Sequence, residues 1–100
     1  RWQTLAVDVA AIVACVDNGD DAPVMLDLTP TEFSLLATLL RSPAHPFSRQ
    51  YLLEHCLPES EALERVVDTH IYNLRKKLEA VGISGVLINV RGVGYRFRQP

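Results

Sequence analysis

ERVVDTHIYNLRKKL, residues 64–78, is the stretch that decides the fold. Val67, Ile71, Leu74 and Leu78 fall at i, i+4, i+7 and i+11, which is one apolar stripe on a helical period. The far side of the same helix carries Arg65, Thr69, Tyr72, Asn73 and Lys76, with His70 and Lys77 beside them. A buried stripe accounts for the aliphatic residues. It does not account for the far side, where guanidinium, hydroxyl, amide and ammonium groups stand with no carboxylate at the centre. Groups of this kind suit phosphates and base edges.

Downstream of this helix, Gly82 is expected as its C-terminal cap after a run to about Val81. A second basic element follows in VRGVGYRF, residues 90–97. Residues 87–90 and 95–98 are expected to pair as a hairpin around Arg91-Gly92-Val93-Gly94, whose two glycines permit the positive φ of a tight turn. Upstream, Thr29, Pro30 and Glu32 form a capping box with proline at the first helical position. Phe33, Leu36, Ala37 and Leu40 give that helix its buried stripe, Leu35 and Leu39 widen it, and Ser42-Pro43 ends it. After a stiff connector at 43–46, Ser48 caps a second, short helix, with Phe47 placed to staple onto Leu52 and Pro58 stopping it after about Leu57. Residues 57–63, LPESEAL, read as an acidic loop or an early helical turn, with Leu57 and Leu63 as its anchors to the core.

The first 28 residues read as short strands at 4–9, 11–16 and 24–28, with the Asp17-Asn18-Gly19-Asp20-Asp21 cluster as a hairpin turn. One face of that sheet is expected against the helices. The order is strands, helix, helix, loop, helix, hairpin, which predicts an α+β winged helix-turn-helix. Residues 1–28 would form the N-terminal sheet, 29–82 a three-helix core and 83–98 the wing hairpin, all in one domain spanning 1–100. Neither internal repeats nor low-complexity segments interrupt it.

The net charge of −2 conceals a division. Residues 1–64 hold three arginines against ten acidic residues; residues 65–100 hold seven basic residues against Asp68 and Glu79. Segregation of this kind turns one face towards a polyanion and keeps the rest repelled from it. Val9–Val16 is the longest apolar run and is far too short to span a bilayer, for which about 20 residues are needed. With no signal-peptide pattern, the expectation is cytoplasmic. The chain opens at Arg1 rather than at a methionine, which predicts a piece of something longer. Cys15 and Cys56 lack a zinc-site spacing; two buried thiols in a reducing compartment is the first reading, a disulfide the second.

Four ordered blocks carry a resemblance. LTPTEFSLL at 28–36, FSRQYLL at 47–53, residues 65–78 and VRGVGYRF at 90–97 closely resemble the effector domain of OmpR/PhoB-type response regulators. The resemblance is continuous from about Leu28 to Phe97, while the N-terminal strands fit by pattern alone. It implies a DNA-binding transcription regulator, attached behind a receiver domain that a sensor histidine kinase phosphorylates. It further implies two copies bound head to tail on a direct-repeat site, with the third helix in the major groove and the wing at the minor groove. The loop between the second and third helices would face RNA polymerase.

Roles follow residue by residue. Thr69 and Asn73, with Tyr72 third, are expected to read bases: a threonine methyl suits thymine, and asparagine can pair bidentately with adenine. Relatives often carry a basic residue at Tyr72 or Asn73, so the neutral pair here shifts the expected preference away from guanine. Tyr72 has packing on a neighbour as its other reading. Arg65, His70, Arg75, Lys76 and Lys77 are phosphate candidates, with an ion pair between Asp68 and Arg75 or the wing as the competing use. In the wing, Arg91 is the candidate for minor-groove insertion and Asn89 for the backbone beside it. Tyr95 is expected to pack its ring on the third helix and aim its hydroxyl at a phosphate. Arg96 either joins it or, with Arg98, forms a solvated strand face. Glu59, Glu61 and Glu64 would point away from DNA, either towards polymerase or into solvent.

Catalysis finds no support, because no nucleophile elbow, paired carboxylates or phosphate-binding loop is present. No metal or cofactor pattern is visible. The rival reading is a winged helix that binds proteins without specific DNA binding. Salt separates the two, since phosphate contacts weaken steeply with ionic strength.

Overall fold

The hydrogen-bonding chemistry at residues 29–32 builds the first helix. In the computed structural model, which describes residues 5–17, 22–57 and 63–98, Glu32 N–H donates to Thr29 Oγ1 (3.1 Å) and Thr29 N–H donates to Glu32 Oε1 (2.9 Å). This reciprocal cap opens α1 (Pro30–Arg41). Ser48 opens α2 (Arg49–Cys56) by accepting from Tyr51 N–H at 3.0 Å. The third helix, α3 (Arg65–Ala80), has no side-chain N-cap, because Glu64 is itself in helical conformation. It ends as the glycine requires. Gly82, at φ +85°, donates to Glu79 O, and Ile83 N–H donates to Leu78 O, a Schellman closure.

Among the described residues, six short strands form two antiparallel sheets. β1 (Leu5–Asp8), β2 (Val13–Val16) and β3 (Val24–Met25) lie in the order β1-β2-β3, in the register Leu5↔Val16 and Cys15↔Met25. Leu5, Ala14 and Val16 turn inwards, as expected of a sheet with one face on the helices. β2 starts two residues later than expected. Asp8 Oδ1 accepts from Ala11 N–H (3.1 Å), Ile12 N–H donates to Val9 O, and Ile12 sits at φ +55°, so residues 9–12 turn instead of extending. The Asp17–Asp21 turn cluster, apart from Asp17, lies outside the described residues. β3 is shorter than the expected strand at 24–28.

The second sheet contains a strand that periodicity does not announce. β4 (Phe47–Ser48) pairs with β6 (Gly94–Phe97), which pairs in turn with β5 (Leu87–Val90), giving β4-β6-β5. The connector reaches this sheet through Ala44, at φ +71°, whose N–H donates to Phe97 O at 2.8 Å. Phe47 has its backbone in the sheet and its ring 5.2 Å from that of Tyr51.

One apolar core joins the layers. Leu35, Leu36 and Leu39 of α1, Leu52 of α2, the α3 stripe Val67, Ile71, Leu74 and Leu78, and Phe97 of β6 are almost wholly buried together. Leu57 joins them, but Leu63 is 62% exposed and does not anchor the loop as expected. Leu63 sits at the head of α3, where its carbonyl accepts from Val66 N–H at 2.9 Å. Cys56 is buried and Cys15 half-buried, and both are free thiols. No described helix is long and apolar enough to cross a membrane.

Candidate nucleic-acid interface

Burying the stripe of α3 leaves its other side in solvent. Arg65, Thr69, Tyr72, Asn73 and Lys76 are all exposed, and His70 is half-buried at the flank. Lys76 Nζ lies 5.1 Å from the Tyr72 ring centroid, a cation–π contact across one helical turn. Tyr72 nevertheless keeps 55% of its surface exposed, so that contact does not occupy it.

The wing stands beside this face. β5 and β6 meet at Val90↔Gly94 around a three-residue turn in which Val93 N–H donates to Val90 O at 3.0 Å and Gly92 takes φ +77°. Arg91 is exposed in that turn and Asn89 is exposed on β5, while Arg96 is half-buried. Gly94 does not use positive φ. Its place is dictated by proximity, since a Cβ there would lie 2.0 Å from Phe47 O.

Three residues expected at phosphates have hydrogen-bond partners within the fold. Arg75 Nη2 donates to Leu87 O at 2.9 Å, tying α3 to β5, so its partner in the fold is a backbone carbonyl and not Asp68. Lys77 Nζ donates to Glu32 Oε1 at 2.6 Å, tying α3 to the start of α1. Tyr95 is buried, and its hydroxyl donates to Asp68 Oδ1 instead of pointing outwards. In each case a polar group lying close to the fold takes a partner within it. Glu64 is exposed at the head of α3, and Glu59 and Glu61 lie outside the described residues.

Arg49 was given no role from the sequence, and Asp68, expected to pair with Arg75 or the wing, pairs instead with Arg49 and with Tyr95 of the wing. Arg49 Nε donates to Asp68 Oδ1 at 2.8 Å, and its guanidinium carbon sits 5.3 Å from the Tyr95 ring centroid. Burial would raise the Asp68 carboxyl, but the hydrogen bonds from Tyr95 and Arg49 outweigh it and hold it below the ordinary carboxylate range. Burial pushes the Tyr95 phenol up, and Asp68 pushes it further. The hydrogen bond to Asp68 raises the Arg49 guanidinium. At Glu32, burial again acts upwards and is outweighed by Lys77 and Thr29, leaving the carboxyl low. The one sequence signal for Arg49 was its place directly after a helix cap in an otherwise acidic half. Among the described residues, no group of three or more His, Cys, Asp or Glu converges to hold a metal ion.

Known proteins share this arrangement. Residues 23–97 match the family model described as transcriptional regulatory protein, C terminal. The chain is 48% identical over 75 residues to the transcriptional regulatory protein BaeR of Escherichia coli O6:H1, covering 73% of this chain and 31% of that protein. It is 43% identical over 100 residues to AfsQ1 of Streptomyces coelicolor, covering 97% of this chain and 42% of that protein. It therefore spans well under half the length of these relatives. Among solved structures, the DNA-binding domain of the response regulator AdeR, crystallised in complex with an intercistronic region, superposes with a TM-score of 0.88 at 38% identity, covering 99% of this chain and 98% of that one. With the matched region, the three helices and the wing in the same order, the chain belongs to the family of C-terminal domains of transcriptional regulatory proteins, the winged-helix domains of OmpR/PhoB-type response regulators.

Proposed function

We propose that this chain binds duplex DNA in a sequence-specific manner, as the output domain of a two-component response regulator. One observation carries the reading. Arg65, Thr69, Tyr72, Asn73 and Lys76 share one exposed face of α3 with no carboxylate at its centre, beside a wing that exposes Arg91. An α-helix fits the major groove, where hydroxyl and amide groups discriminate base edges. Thr69, Asn73 and Tyr72 read bases. Arg65, His70, Lys76, Asn89 and Arg96 hold phosphates, and Arg91 enters the minor groove. The AdeR domain was crystallised with DNA, which supports the same use here.

In the longer protein, a receiver domain controlled by a histidine kinase would govern two copies placed head to tail on direct repeats. The acidic stretch ending at Glu64 would face RNA polymerase. Selection of binders from a randomised duplex library at near-physiological salt tests the reading. Two repeated half-sites about one helical turn apart are expected. Asn73→Ala should then relax the preference at one base pair, by about 1–3 kcal/mol, more than it weakens binding to unrelated duplex. Failure to enrich any sequence would move a protein-binding role into first place.

A further inference from the structure

The two ends of α3 are held differently. Its C-terminal half is fastened by the Schellman closure, by Lys77 to Glu32 and by Arg75 to Leu87 O. Its N-terminal half has no side-chain cap, and Glu64 is exposed. The polar anchor in the first turns is Asp68, whose Oδ1 accepts from both Arg49 Nε and the Tyr95 hydroxyl. Arg49 is the first residue of α2, and Tyr95 lies in β6, opposite Phe47 of β4. One carboxylate oxygen thus joins α3, α2 and the wing strand. The Arg49 guanidinium over the Tyr95 ring closes the triangle.

We propose that Arg49 and Tyr95 are positioning residues that act through Asp68 to set the angle between the base-reading face of α3 and the wing. The proposal rests on the DNA-binding reading above. A helix of 16 residues is about 24 Å long, so a small swing of its free end moves Thr69 and Asn73 appreciably against Arg91. Paired base contacts tolerate displacements of about 0.5 Å. Helix and wing must therefore be held as one rigid body if both are to engage a single site.

Electrostatics alone makes the opposite prediction, and this makes the proposal testable. Asp68 is one of two acidic residues in 65–100 and its side chain is 42% exposed. If it merely repelled phosphates, removing it would tighten binding to every duplex. If it positions α3, removing it costs the selected duplex and spares the unrelated one.

The experiment compares the parent, Asp68→Ala and Tyr95→Phe. It measures Kd for the selected duplex and for a scrambled one, with thermal melting and amide hydrogen exchange on the free protein. For Asp68→Ala the ratio of the scrambled-duplex Kd to the selected-duplex Kd should fall about tenfold while scrambled-duplex binding stays level or tightens. For Tyr95→Phe, which removes one hydroxyl and keeps the ring, the ratio should fall about threefold with melting little changed. Amides in the first turns of α3 and in β6 should exchange faster together in both variants, while those of α1 do not. An unchanged ratio, or equal tightening on both duplexes, overturns the proposal. Should the parent itself fail to discriminate between duplexes, the functional reading falls. The exchange data then decide separately: unaltered protection of α3 and β6 would sink the positioning role as well.

Discussion

Gly92 and Gly94 sit two residues apart in the wing and are glycine for different reasons. At Gly92 a Cβ would meet nothing within 4 Å, but φ is +77°, so Gly92→Ala costs the left-handed penalty of about 1–2 kcal/mol. At Gly94 the obstacle is contact: a Cβ would lie 2.0 Å from Phe47 O and 2.9 Å from Ser48 Cα. Neither atom is the end of a flexible side chain, so β4 must leave β6. Gly94→Ala is expected to cost about 3 kcal/mol or more and to loosen the start of α2, because Ser48 is both strand residue and helix cap. Urea unfolding of the two variants checks this. Equal losses would mean that the β4–β6 approach relaxes without resistance.

At the scale of elements, α1 and α3 are joined by the apolar core, to which a partly wet ion pair between Lys77 and Glu32 adds. The Glu32 side chain is 4% exposed and that of Lys77 is 38% exposed. Lys77→Met leaves Glu32 with the Thr29 N–H but without its counter-charge, at a cost of about 1–2 kcal/mol, solvent access to the lysine keeping it low. The sign with pH follows from the lowered Glu32 carboxyl. A depressed carboxylate contributes stability that is present above its unfolded value, about 4.3, and is lost as pH falls through the lower folded one. Urea midpoints should therefore drop towards acid in the parent and drop less steeply in Lys77→Met. Parallel curves for the two would remove Lys77 as the source of that pH dependence.

For the whole molecule, the division of charge matters less than where the charged ends are spent. The last 36 residues hold seven Lys or Arg, yet Lys77 answers Glu32 and Arg75 answers a backbone carbonyl. Arg65, Lys76 and Arg91 stay exposed. In duplex binding, Lys76→Ala and Arg91→Ala should each flatten the slope of log K against log salt by about 0.9, the share of one neutralised phosphate. Lys77→Ala should leave that slope unchanged, although it removes the same charge. A matching change for Lys77→Ala would show that its pair with Glu32 opens on DNA.

The order of amino acids suffices for those parts of the protein that depend on local periodicity and local backbone chemistry. The apolar stripe and polar face of α3, the capping box at Thr29 and Glu32, the Gly82 closure and the place of the wing were all legible, because each is a relation among residues a few positions apart. Where the long polar side chains end depends on the packed fold. Lys77 meets Glu32 across 45 positions, Tyr95 meets Asp68 across 27, and Arg49 meets Asp68 across 19. Helical spacing tells which way a Cβ points, but the partner waiting there is set by how the core packs distant elements together. The two-residue strand at Phe47 and the close approach at Gly94 belong to the same class: too short to show a period, they exist because β6 lies alongside.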